Sequence, residues 1–437
     1  MPSAIAIETT ALVERLVERE VKLQRLVTVY IVTGLLFMLL PGTFLGVWNL
    51  ISISGRQSLE ALSPAWLQAH GHAQIFGWIG TFVLGIGFYS LTKMARLPSF
   101  AIALGWTCYG LWTSGLILRW AANVTGWEWQ ILLPVSAALE LAAFLTFFLT
   151  VRGHRPAAPT ARPMAGRMDV WIWMVAGSTM WFLITLVINV IATVYVSWLG
   201  TGPALPHKWD QRMLMLPTWG FLVPAVWGFN ARWLPVFLGL RAPDRRYLLF
   251  AFGASSSAVI LALAGFTRIS VALLPIAATA AILGLGVFER SCQPPKTTGI
   301  HPSFPVFIRG AYVWLMVASV LSIWAASSDR SGGIWGASRH ALTVGFISTM
   351  VFAIGQRILP AFCGGRVLFS KKLMFASLLL LNLGCLLRVA SEIPAYEGDF
   401  ALAWSVLPIS AVTEMAAVTV FALNLMMTFA SRVRTVR

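Results

Sequence analysis

Runs of about twenty apolar residues recur some twelve times along this chain, and no other feature constrains its fold as tightly. A helix of that length matches the hydrocarbon thickness of a bilayer, and it satisfies its own backbone N–H and C=O groups where no water can. The runs lie near residues 27–51, 72–92, 99–119, 130–151, 170–199, 213–238, 246–266, 269–289, 305–327, 340–361, 371–390 and 402–430. Only 11% of the 437 residues are charged and 58% are hydrophobic, whereas a soluble domain carries about 25% charge. The chain therefore reads as all-α: a polytopic membrane protein with about twelve transmembrane helices in a single membrane domain, 1–437, in contact with bilayer lipid. Trp120, Trp198 and Trp335 stand near run ends, as interfacial aromatics do. Residues 1–26, with Glu14, Arg15, Glu18, Arg19, Glu20 and Lys22, predict a short amphipathic helix ahead of the first run rather than a cleavable signal.

The tails and the even-numbered loops hold 24 of the 32 lysines and arginines. That bias places both termini in the cytoplasm. Topology thus accounts for the net charge of +16, and no nucleic-acid partner is implied. The basic loop at 152–168 is rich in Pro and Ala and reads as a flexible linker. The four cysteines form no CxxC pair, so neither a disulfide framework nor a zinc site is supported.

The chain also repeats itself. HAQIFGWIGTFVLGIG from His72 aligns with HALTVGFISTMVFAIG from His340. RWLPVF from Arg232 matches RILPAF from Arg357, a register that puts Met215 on His340 and Gly220 on Gly345. LPVSAALELAA from Leu133 matches LPISAVTEMAA from Leu407, with LPIAATAA from Leu274 a weaker copy. Arg119, Arg268 and Arg388 are expected to close runs 3, 7 and 11. Three pseudo-equivalent four-helix units follow, at about 1–160, 161–300 and 301–437.

Polar groups inside a membrane are costly, which makes them candidates for function. His72 and His340 open even-numbered runs and so lie at similar depth near the periplasmic end. A pair of imidazoles so placed suits axial ligation of a haem iron or part of a copper site. The alternative is two interfacial histidines satisfied by water or backbone. His70, two residues from His72, would face nearly the opposite side of a helix and is the alternate ligand. His207 offers a third imidazole, and Met215 a thioether that is otherwise a core residue. Arg119, Arg339 and Arg388 near the histidines suit haem propionates, or else they snorkel to the interface. Glu140 and Glu414 lie about mid-membrane, as proton or ion relays or as buried structural acids. His154 and His301 lie in cytoplasmic loops, apart from this group.

HGHAQIFGW from His70 and RHALTVGFISTMVFAIGQR from Arg339 to Arg357 resemble the NnrS family. That resemblance implies a twelve-helix bacterial membrane protein with haem, b-type, and copper, tied to the nitric oxide response, with His72 and His340 as leading ligands. The family carries a further His before the Gly-Arg pair that follows the tenth helix. Here the stretch is AFCGGR, from Ala361 to Arg366, and that ligand is missing. The layout also resembles haem-copper oxidase and nitric oxide reductase catalytic subunits, whose low-spin haem is held by histidines on helices 2 and 10. Their copper site needs histidines on helices 6 and 7 and a second on helix 10, which this sequence lacks. Two other functions fit the same pattern. One is a secondary transporter coupled through Glu140 and Glu414; the other is a degenerate oxidase-like electron-transfer subunit.

Overall fold

The computed structural model describes residues 4–58, 62–94, 100–152, 169–398 and 400–431, with the side chains of 4–12, 91–94 and 152 outside the description. The predicted linker from residue 153 to 168, with His154, lies outside the described residues. Eleven helices are long and apolar enough to cross a membrane. They are α1 (Val13–Arg56), α2 (Pro64–Ser90), α4 (Trp129–Val151), α5 (Val170–Leu199), α6 (His207–Leu238), α7 (Arg245–Leu263), α8 (Thr267–Leu285), α9 (Phe304–Ser328), α10 (Gly333–Phe362), α11 (Lys371–Tyr396) and α12 (Ala403–Ala430). A twelfth, α3 (Ile102–Thr125), has the length but is diluted by Gly, Thr and Arg119. The chain is a multi-pass membrane protein, and every described regular element is helical.

Local chemistry sets several helix starts. Ser63 accepts from the Ala65 amide, with Pro64 in the first turn of α2. Asp244 caps α7 through the Arg246 amide, and Ser370 caps α11 through Leu373. Such caps satisfy amides that have no partner within the helix. The N-terminal segment differs from expectation. Instead of a separate surface helix, one helix runs unbroken from Ala4 to Phe37. No Gly or Pro interrupts it before the span, and Leu23, Leu26 and Val27 already pack into the core.

The hairpins α3–α4, α7–α8 and α11–α12 pack along their lengths, and α12 closes onto α1. Three helices sit innermost: the hydrophobic windows of α2, α6 and α10 are 72%, 61% and 72% buried, against 33–50% for the other eight measured. Each of the three contains a π-helical segment: Ala73–Gly80, Leu216–Leu222 and Ala341–Ser348. His72, Met215 and His340, the positions aligned by the sequence register, are the residues that immediately precede these segments. The Ser348 hydroxyl donates to the Thr343 carbonyl five residues back, a bond that fits the widened turn. A fourth π segment, Met38–Phe44, contains Pro41 and lies in α1 beside α2. Such widened turns re-aim side chains and cluster at functional sites.

Arg268 departs from the expected arginine triplet. α7 ends at Leu263, Gly265 turns the chain at φ +91°, and Arg268 falls exposed in the first turn of α8. Arg119 and Arg388 instead lie inside α3 and α11, and both are buried.

Candidate functional site

The two histidines of α2 serve different neighbours. The His70 Nδ1–H donates to the Gly42 carbonyl of α1 at 2.9 Å. A carbonyl only accepts, so Nδ1 carries the proton and Nε2 keeps its lone pair. Gly46 makes this approach possible, because a Cβ there would lie 2.6 Å from the ring carbon Cε1. His340 repeats the arrangement on α10. Its Nδ1–H donates to the Gly336 carbonyl at 2.9 Å and faces a Glu392 oxygen at 3.3 Å, which again leaves Nε2 unengaged. Glu392 needs a glycine at 336, since a Cβ there would meet its Oε1. The same carboxylate takes a two-pronged bond from Arg388, Nε to Oε2 at 3.0 Å and Nη2 to Oε1 at 2.9 Å. His340 and Arg388 are both within electrostatic reach of His70, so α2, α10 and α11 bring one polar group together.

His72 belongs to a second group. Its Nε2–H donates to Glu140 Oε1 of α4 at 2.8 Å, so the nitrogen that would face a metal is engaged. Asn189 of α5 donates to the other Glu140 oxygen at 3.4 Å and accepts from Arg119 of α3 at 3.4 Å. Glu140 is fully buried. A buried carboxylate is tolerable when its oxygens are bonded in this way.

The two groups share a packing device. Gly115, four residues before Arg119, lets Glu140 Cγ approach α3: a Cβ there would sit 2.9 Å from it. Gly384, four residues before Arg388, does the same for Glu414 Cγ at 2.6 Å. Glu414 differs from Glu140 in that its Oε1 is buried with no hydrogen-bond partner. A second unpartnered atom is Arg339 Nη2, within reach of Asp210, Glu392 and Asp329. Asp210 in turn feels both Arg339 and Arg119 electrostatically.

The remaining candidates lie apart. His207 is exposed, with Nε2 2.7 Å from the Gln211 side-chain amide. Met215 packs against the hydrophobic core. His301 bonds Ser303 ahead of α9. Among the described residues, no three His, Cys, Asp or Glu side chains converge as a metal site would need. Sequence reasoning passed over Glu392, Asn189, Gly42 and Gly46. Glu392 was within reach, because it stands one helical turn after Arg388, and Asn189 is a lone amide in an apolar run. The two glycines gave no signal before α1 was seen against α2.

Residues 185–430, more than half of the chain, match the family model described as a domain of unknown function, DUF8744. The chain belongs to this family. No curated protein matches it. Among solved structures, 37 chains match. One is a haem-copper terminal oxidase dimer determined by cryo-EM, with TM-score 0.68 and 12% identity over 94% of this chain and 85% of that one. At that identity the DUF8744 chain shares the fold.

Proposed function

We propose that this DUF8744 protein binds a b-type haem through His70 of α2 and His340 of α10, at the end of the bundle that the charge bias assigns to the periplasm. The observation that carries this is the matched state of the two rings. Each is tied through Nδ1–H to a backbone carbonyl, and each presents an unengaged Nε2. A hydrogen bond from the far ring nitrogen to a carbonyl fixes the tautomer and ring direction of a ligating histidine and raises its basicity. His72 was the first choice on sequence, but its Nε2 is spent on Glu140. Copper is left out of the proposal because the described residues offer no cluster for it.

The fit extends beyond the ligands. Arg339 holds an unpartnered buried N–H, a ready donor for a propionate carboxylate. Arg388 places a second guanidinium beside His340, clamped on Glu392. Arg119 stands with His72 and Glu140 and is not assigned to the haem. A haem held by two histidines supplies one-electron redox chemistry. The protein's part is to hold the imidazoles neutral and oriented, neutralise the propionates and exclude water. The NnrS-like motifs around His70 and His340 support a role in handling nitric oxide.

The test is an absorption spectrum of the purified protein, produced with haem supplied. We expect a Soret band that disappears in His70→Ala and in His340→Ala and persists in His72→Ala. A protein without a Soret band, or one in which only His72→Ala abolishes it, would overturn the assignment. Addition of nitric oxide to the reduced protein then tests the physiological role, and an unchanged spectrum would remove it.

A further inference from the structure

Glu414 of α12 and Glu140 of α4 hold matching places in the sequence repeat, and each packs its Cγ against a glycine of the preceding helix. Their surroundings differ. Glu140 has both oxygens bonded, to His72 and to Asn189. In the third unit the residue one turn after the arginine is Glu392, where the first unit has Asn123. Glu392 draws the His340 ring and takes both prongs of Arg388. Glu414 is thereby left over. Its Oε1 is buried without a hydrogen-bond partner, and among the described residues neither oxygen forms an ion pair. It still faces the bundle interior, since Ser410, Ala411, Ala417 and Val418 around it on α12 are buried. His340, Arg388 and Glu392 all act on it electrostatically.

We propose that Glu414 is a redox-linked proton site, which takes up one proton when the haem proposed above takes up one electron and releases it on oxidation. The inference rests on that haem assignment. Charge balance is the reason. A porphyrin dianion and two neutral imidazoles leave ferric iron with one net positive charge and ferrous iron with none. The other groups facing Glu414 offer no replacement. Arg388 and Glu392 neutralise each other, and Cys385 of α11 is an uncharged buried thiol. Residues 38–56 of α1, which pack on α12, hold no ionisable side chain before Arg56. Lower on α1, the Tyr30 hydroxyl is committed to the Gly105 carbonyl, and lower on α10, Arg357 lies over the Phe237 ring. An ionised Glu414 thus has the ferric centre as its counter-charge and loses it on reduction. An unpaired buried carboxylate is costly, so reduction drives proton uptake. The electron comes from a one-electron donor. The proton comes from water and forms the O–H bond of the neutral acid, so the net charge of the site is conserved.

The midpoint potential of the purified haem-loaded protein is measured against pH, and reduced-minus-oxidised infrared difference spectra are recorded in H2O and D2O. Reduction binds a proton, so the potential should fall as pH rises. The limit for one proton per electron is about 59 mV per tenfold drop in proton concentration. On reduction a carboxylic acid C=O band should appear, shifted in D2O. Glu414→Gln keeps the shape and the neutral state. It should bind haem like the wild type, lose the band and show a much flatter dependence on pH. A wild-type potential indifferent to pH, a wild type without the band, or a Glu414→Gln variant that keeps either the wild-type slope or the band overturns the proposal and leaves the haem standing. A wild type with no Soret band removes the haem assignment itself, a result distinct from any of these.

Discussion

His70 and His72 stand two residues apart on α2, and their rings are held on opposite sides of it. Gly42 of α1 takes the first through Nδ1, and Glu140 of α4 takes the second through Nε2. One helix therefore feeds two polar groups, and only one of its histidines keeps Nε2 available.

Gly46 is expected to govern the proposed haem site through the His70 ring. Gly46→Ala places a Cβ 2.6 Å from the His70 ring and must push it off the Gly42 carbonyl. Haem content, read as the Soret-to-protein absorbance ratio, should fall in Gly46→Ala. Gly71→Ala is the control, since a Cβ there meets nothing within 4 Å. It should keep full haem content and gain up to about 1 kcal/mol of helix stability.

Glu140→Leu should destabilise the fold strongly, because it strands the His72 and Asn189 donors in a buried site. Each unsatisfied group costs about 1–3 kcal/mol. Glu140→Gln keeps an acceptor for one of them and should lose less. Thermal melts of the two variants in detergent rank them, and equal melting temperatures would contradict the geometry.

The Arg388–Glu392 pair lends itself to a double-mutant cycle. Removing Arg388 alone leaves a buried carboxylate next to His340, a loss of about 3–5 kcal/mol. Removing both residues, as Arg388→Leu with Glu392→Leu, should cost clearly less than the sum of the single changes. Denaturant or thermal unfolding of the four proteins gives the coupling energy.

Gly115→Ala and Gly384→Ala should both weaken the bundle. At Gly115 the new methyl would meet the Ser136 carbonyl at 2.9 Å as well as Glu140, and backbone does not give way. At Gly384 the nearest atom is the Glu414 side chain. Overpacking of this kind costs about 1–3 kcal/mol. The Gly115 variant is expected to lose more, and melting temperatures of the two decide it.

Much of this protein was already written along the chain. Hydrophobic runs and charge depletion determined a helical multi-pass bundle, because lipid admits no other backbone for such segments. The alignment of His72, Met215 and His340 was legible as a repeat of sequence, and each residue stands at the threshold of a π-helical segment. The arginine at 268 misled, because an apolar run does not record that Gly265 turns the chain ahead of it. Which histidine is available was a tertiary question. Both lie on one helix, and period alone says only that they diverge; the carbonyl of Gly42 and the carboxylate of Glu140 decide what each ring does. Those partners come from helices 28 and 68 residues away in sequence. Hydrogen bonds of that separation are set by how helices pack, and no local pattern encodes them.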